Sequence, residues 1–556
     1  EVRDHRRGAL GRGPDPVTGA RAVADALAAE GTEVVFGVLG DGNMHMVAHL
    51  VEDHGARYVA TRHEAAAVAM ADGYARSTGR PGVATVTQGP GLTNAATALT
   101  EARRARSPVL LLSGETARGF HDHIQDIDQQ PFALATAGAY QAVGTPASLA
   151  KDVGDAFRHV RLGLGPTVLA VPTDLQRDEM PPDWSYPPAD VVAPQRVPPD
   201  PAALAAAAEL VAAAERPIVI AGRGAVLSGA REELLALAGR IGAPVATSLQ
   251  AKGWFRDDPF DLGIAGGFSH EPAREVFAQA DLVVAFGAAL NRFTASHNGL
   301  FPQAKVVQVA LERGSVGHTV RVDAAVLADA RLTAAALLDA GPERTGLRTP
   351  ALAQRLAGFE RYPEFTEGNG VDPRQAAAIC DRLLPADRCM LLGTGHFNGY
   401  PAVEVGVPDP RDLVLPWAFG SVGVALPTAL GVSLARPDRT VVVFEGDGGL
   451  MMSLPELETA ARERIPVVVV VLDDGAYGAE TYMMEKAGLD PALSLFDNPD
   501  LAEVARVLGA RGLEATTAEE LEAALADLGP VDGPVLVRVR VDRSVWNEEV
   551  FRTLTG

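Results

Sequence analysis

Thr440-Val441-Val442-Val443-Phe444-Glu445-Gly446-Asp447-Gly448-Gly449 is apolar at every position from Val441 to Phe444 and then breaks into glycines around one aspartate. A run with no polar face is buried on both sides, as a parallel strand covered by helices is. A helix is predicted to follow near Leu454. Similar runs recur at Gly82–Thr87, Val109–Ser113, Pro217–Ala221, Pro244–Ser248, Leu282–Gly287 and Pro466–Leu472, alternating with Ala-rich amphipathic stretches. The pattern predicts an α/β chain of three doubly wound parallel-sheet domains.

Eight prolines in the 21 positions from Pro181 to Pro201 can neither continue a helix nor occupy a central strand, and mark a linker. A second loose stretch, Gly341 to Pro373, encloses one short helical segment, Ala351 to Glu360. The expected domains are therefore 14–180, 202–341 and 374–556. Glu1 to Gly13 carries Arg3, Arg6, Arg7 and Arg12 without the apolar stretch of a secretory signal, and reads as a disordered lead-in.

The 556 residues hold 49 basic and 71 acidic side chains, a net charge of −22 that repels phosphate backbones and argues against nucleic acid as a partner. Two cysteines, Cys380 and Cys389, are too few for a disulfide framework and fit a reducing cytoplasm. No apolar run is long enough to span a membrane, so a soluble protein is expected.

Glycines at a strand's carboxyl end let backbone N–H groups close on an anion, and a carboxylate among them can hold a cation beside it. A bare Gly-Asp-Gly also serves a turn alone. The next run ends in Asp473-Asp474-Gly475-Ala476-Tyr477, placing Asp474 27 residues beyond Asp447, at the same sheet edge if the strands are neighbours.

This spacing resembles the signature of the thiamine-diphosphate-dependent decarboxylases and carboligases, the family of acetolactate synthase, pyruvate decarboxylase and benzaldehyde lyase. The resemblance implies Mg²⁺ held by Asp447, Asp474 and the Ala476 carbonyl, with Gly446, Gly448 and Gly449 in the diphosphate loop. The family usually has Asn where this chain has Asp474, and the added charge implies either a compensating cation, for which His396 is a candidate, or a lower affinity for diphosphate; His396 could equally be a hydrogen-bonded loop histidine. Gly393-Thr394-Gly395-His396 resembles the second diphosphate loop, so Gly395 and His396 are implied cofactor contacts. Gly420-Ser421-Val422-Gly423 resembles the segment that grips the aminopyrimidine, the Gly420 carbonyl taking its exocyclic amine and Val422 wedging the cofactor into a bent shape. Val422 could also be plain core.

Arg62-His63-Glu64-Ala65, Asp72-Gly73-Tyr74-Ala75-Arg76 and Gln88-Gly89-Pro90-Gly91-Leu92-Thr93-Asn94 closely resemble the pyrimidine-binding domain, with Glu64 at the position of the glutamate that activates the cofactor. Glu64 also opens a helix, where a carboxylate favours the first turn. The resemblance further implies at least a homodimer, or a homotetramer, with Glu64 and Asp447 meeting across a two-fold axis. In the middle domain Gly222-Arg223-Gly224 lacks the acidic residue about 20 positions on that a dinucleotide site would have. FAD or ADP, bound there in some relatives, is less favoured than a structural role.

The reaction depends on groups around the cofactor. Asp41, in Gly40-Asp41-Gly42-Asn43, and Glu480 match active-site carboxylates of pyruvate decarboxylase. Gln125 matches a substrate-facing glutamine of the carboligases, and His121 and His123 are either catalytic or exposed loop residues. The expected substrate is a small 2-oxo acid, joined to an aldehyde or a second 2-oxo acid or released as an aldehyde. The alternatives are a 2-hydroxyacyl-CoA lyase, disfavoured by the lack of a basic tail before Gly556, and a non-catalytic homologue that binds the cofactor, disfavoured by Glu64.

Overall fold

All seven continuous apolar runs are strands in the computed structural model, which describes residues 17–120, 122–189, 191–193, 195–546 and 551. The expected lead-in, Glu1 to Gly13, and His121 lie outside the described residues. The first sheet comprises β1 (Val34–Gly37), β2 (Arg57–Ala60), β3 (Gly82–Val86), β4 (Val109–Glu115), β5 (Tyr140–Ala142) and β6 (Thr167–Pro172). The second comprises β7 (Pro217–Ala221), β8 (Val245–Thr247), β9 (Asp261–Ile264), β10 (Leu282–Phe286), β11 (Lys305–Ala310) and β12 (Ala324–Leu327). The third comprises β13 (Cys389–Leu392), β14 (Leu413–Val414), β15 (Val441–Gly446), β16 (Val467–Asp473), β17 (Arg511–Ala515) and β18 (Pro534–Arg540).

Each sheet is six-stranded, in the orders β2-β1-β3-β4-β6-β5, β12-β11-β10-β7-β8-β9 and β14-β13-β15-β16-β18-β17. Every pairing between these strands is parallel, in the doubly wound arrangement expected. Both faces of the sheets are covered. Along β10, Leu282, Val284 and Phe286 join one apolar cluster while Val283 and Ala285 join another on the opposite face.

Contacts divide the chain into two units. The first holds the described residues up to Val192 together with Ala418–Ala435; the second holds Ala193–Trp417 and the described residues from Arg436 on. In the first unit the helix Ala425–Ala435 crosses the helix Glu64–Thr78 at backbone distance. A Cβ on Gly73 would stand 2.1 Å from the Thr428 carbonyl oxygen and one on Gly431 would stand 1.9 Å from that of Met70, so only glycine fits at the crossing.

Local signals account for the remaining elements. The short helix of the second loose stretch is Pro350–Ala357, opened by Thr349, whose hydroxyl accepts the Leu352 N–H, and by proline in the first turn. No helix or strand occurs among the described residues of the proline-rich linker before Pro201. The helix expected near Leu454 begins earlier, at Asp447, and ends at Ser453; its first-turn carboxylate suits the positive end of the helix dipole. In the second sheet Gly222 and Gly224 serve close packing, since a Cβ on either would strike the backbone of Gly287. Cys380 and Cys389 are buried free thiols, and no helix of the described residues is long and apolar enough to cross a membrane.

Candidate active site

In open parallel sheets ligands gather at the carboxyl ends of strands, where the strand order reverses. That reversal falls between β1 and β3 in the first sheet and between β13 and β15 in the third.

In the second unit, β13 leads into Gly395 and His396, and β15 into Gly446 and Asp447. Asp447 is 2% exposed and its Oδ2 accepts a hydrogen bond from Asn498 Nδ2 at 2.5 Å. Asp474 follows β16: its Oδ1 accepts the Ala476 N–H at 3.0 Å and its Oδ2 lies 2.9 Å from His396 Nε2. Asp473 is paired separately, its Oδ2 accepting from Arg538 Nε at 2.7 Å. Three carboxylates thus stand at two neighbouring strand ends. Burial, and then the charges of Asp474 and Asp473, push Asp447 up to about 7.

Glycine is required throughout this loop cluster. A Cβ on Gly395 or Gly446 would enter the Phe397 ring, one on Gly448 would enter the Tyr477 ring, and one on Gly449 would collide with Glu445. Glu445 is fully buried, its two side-chain oxygens have no partner among the described residues, and burial pushes it up to about 8. Glu480, in the first turn of the helix Gly478–Lys486, is exposed.

In the first unit, β1, β2 and β3 are neighbours, so the residues after them share one edge. Asp41 follows β1, and its Oδ1 accepts from Thr87 Oγ1 and Gln88 Nε2, both at 3.3 Å. His123 Nε2 stands 3.9 Å from the other oxygen, Oδ2. Glu64 follows β2 and opens its helix, with Asn94 Nδ2 donating to Oε2 at 2.9 Å. Gly89 follows β3 at φ 61°, and its missing Cβ leaves room for the Gln125 carbonyl, which that atom would approach to 2.2 Å. Gln125 Oε1 is buried without a hydrogen-bond partner among the described residues. Gly420 has φ 74°, and Val422 is 40% exposed, so Val422 is not core within this chain.

The structure therefore brings Asp41 to His123, Gly89 to Gln125, and Asp474 to His396 and Ala476. Sequence reading missed Asn94, Gln88 and Asn498. Asn94 and Gln88 stand inside a motif recognised for other residues, but nothing in spacing links Asn498 to Asp447, 51 residues away.

Three family descriptions match in order: the N-terminal TPP binding domain of thiamine pyrophosphate enzymes over residues 17–132, their central domain over 204–337, and their C-terminal TPP binding domain over 393–539. The acetolactate synthase large subunit of Parasynechococcus marenigrum is 30% identical over 95% of this chain and 88% of its own. A sulfoacetaldehyde acetyltransferase of Castellaniella defragrans is 30% identical over 92% and 91%. The thiamine diphosphate-dependent 4-hydroxybenzoylformate decarboxylase of Rhodococcus jostii shares the fold with a TM-score of 0.79 at 24% identity, covering 94% of this chain and 99% of that one. The full set of domains, in order and along nearly the whole length, makes this chain a member of the thiamine pyrophosphate enzyme family.

Proposed function

We propose that this thiamine-diphosphate-dependent enzyme decarboxylates a 2-oxo acid and joins the acyl unit to a second carbonyl compound, as an acetolactate synthase does, with release of an aldehyde as the competing outcome. The observation that carries the reading is the gathering of Glu64, Asp41, His123 and Gln125 at one sheet edge. A synthase and an acetyltransferase among the relatives favour ligation over simple protonation.

When bound, thiamine diphosphate supplies a carbon nucleophile and an electron sink. Glu64 would hold the proton that a pyrimidine ring nitrogen takes up, and Asn94 keeps the carboxylate in place by donating to Oε2. The Gly420 carbonyl and Val422 would hold the pyrimidine. Asp41, fixed by Thr87 and Gln88, and His123 handle protons and the substrate carboxylate, while the unpartnered Gln125 Oε1 is left for a substrate donor.

Mg²⁺ fits the other half. Asp447 and Asp474 stand at neighbouring strand ends, and burial and the neighbouring carboxylates disfavour the charged form of Asp447, a cost that a cation would remove. Both Asp474 oxygens are hydrogen-bonded, yet each keeps a lone pair for a metal. Among the described residues no group of three or more His, Cys, Asp or Glu side chains is arranged to hold a metal. Asp447, Asp474 and the Ala476 carbonyl would therefore hold the ion together with oxygens from the cofactor and water. His396, whose Nε2 stands 2.9 Å from Asp474 Oδ2, is placed to hold that carboxylate. Asp474→Asn is accordingly expected to keep Mg²⁺-dependent cofactor affinity or improve it by about threefold. Titration calorimetry checks this, and complete loss of binding would show that the second charge is required.

Pairing of two chains, Glu64 of one with Asp447 of the other, completes the proposed site. Exposed apolar side chains on both halves suit such an interface: Phe120 and Ile124 beside Gln125, and Met451 and Met452 on the Asp447 helix.

Supplying the purified protein with a panel of 2-oxo acids, with and without aldehydes, and following CO₂ and products tests the reading; failure to release CO₂ from every acid would overturn it. Glu480→Gln is expected to slow aldehyde release about 10-fold to 100-fold and to shift products toward ligation. An unaltered product ratio would assign Glu480 a surface role.

A further inference from the structure

Ala418 and Phe419 precede Gly420 and have no strand partner for their backbone N–H groups. Both N–H groups instead donate to one carboxylate: Ala418 to Glu101 Oε1 at 3.0 Å and Phe419 to Glu101 Oε2 at 2.6 Å. Glu101, on the helix Ala96–Ala105, is 2% exposed. Its charge is balanced by Arg76, whose Nη2 donates to Oε1 at 3.0 Å and whose Nε donates to Asp72 at 2.9 Å and Ser107 at 3.2 Å. The Arg104 guanidinium lies 5.0 Å from the centre of the Phe419 ring. Past Gly420 and Gly423, both at positive φ, the chain enters the helix Ala425–Ala435, pinned to the Glu64 helix at the Gly73 and Gly431 contacts. Residues 418–424 are thus fixed at both ends to the first unit.

We propose that Glu101 is a positioning residue for the cofactor: its carboxylate, held by Arg76, sets the backbone that presents the Gly420 carbonyl and Val422 to the pyrimidine ring. The inference rests on the reading of Gly420 and Val422 as pyrimidine contacts. A carboxylate suits the task because it only accepts, and charge-assisted bonds to backbone N–H groups are about twice as strong as neutral ones. A glutamine would turn an NH₂ group toward one of these donors. Arg76 would keep Asp72 and Ser107, so the fold would not be left with an unpaired buried cation.

Glu101→Gln and Glu101→Asp test this, the second keeping the charge for Arg76 while withdrawing the oxygens by one methylene. Both are expected to raise the dissociation constant for thiamine diphosphate with Mg²⁺, measured by titration calorimetry, about tenfold. At saturating cofactor, kcat and the KM for the 2-oxo acid should stay within about threefold of wild type, because no reacting group is touched. Glu30→Gln is the control: Glu30 is also buried and accepts a backbone N–H, from Ala189, but is remote in sequence from the segment. It should lower the melting temperature without changing cofactor affinity. Wild-type affinity in both Glu101 variants, or equal affinity losses in Glu30→Gln, would overturn the proposal. Val422→Ala separates the two readings. If it weakens binding while the Glu101 variants do not, only the role of Glu101 falls; if it binds as wild type does, the pyrimidine-contact reading falls and the role of Glu101 with it.

Discussion

Glu64→Gln is expected to bind thiamine diphosphate nearly as well as the wild-type chain and to lose about 10³-fold in turnover. The substitution keeps the size of the side chain, and its amide oxygen still accepts from Asn94, which now holds Oε2 at 2.9 Å. What disappears is a group that can share a proton with a ring nitrogen at neutral pH. The competing role for Glu64 is a structural one, a first-turn carboxylate at a helix amino end, and the two roles differ in magnitude. Loss of a favourable helix-dipole contact costs about 0.3–1 kcal/mol and would shift the melting temperature by a few degrees, with little effect on rate. Proton exchange at the reactive carbon of the bound cofactor, followed by NMR, should slow in parallel with turnover. Turnover within about tenfold of wild type would remove Glu64 from the chemistry.

The parts of this fold legible in the sequence are those whose physics is local. β3, β4, β7, β10, β15 and β16 lie inside sheets and are buried almost throughout, so each shows as a run of consecutive apolar residues. The edge strands β12 and β17 are buried only at alternate or scattered positions, and β14 has two residues; none of these resembles the interior pattern. The site divides the same way. Asp41, Glu64, Asp447 and Asp474 stand just past strand ends, in short motifs with recognisable order, and all but Glu64 have glycine beside them. Their partners come from elsewhere in the chain: His396 reaches Asp474 across 78 residues, Arg538 reaches Asp473 across 65, and Ala418 and Phe419 reach Glu101 across more than 300. Such contacts leave no periodicity. Glu445 is the exception that gave a local signal, an acidic residue inside an otherwise apolar strand, and only the structure shows that it is buried without a partner among the described residues.

Asp447→Asn is expected to separate metal binding from folding by moving them in opposite directions. Without a cation, Asp447 is pushed up to about 7 by burial and by the charges of Asp474 and Asp473. The folded chain therefore favours the protonated form relative to the unfolded chain, where a carboxyl titrates near about 4. Cation-free stability should accordingly fall as pH rises from about 4 through about 7, and the asparagine variant should lack this contribution. At pH 8 the cation-free variant should melt no lower than the wild type, since the uncharged amide can still meet Asn498. Mg²⁺ and thiamine diphosphate should then raise the melting temperature of the wild type but not of the variant, whose cofactor affinity is expected to drop about 100-fold. A chelator should cancel the rise in the wild type and leave the variant unchanged. If the variant keeps the full rise with Mg²⁺, Asp447 does not hold the metal; if it melts lower without a cation at pH 8, the carboxylate supports the fold.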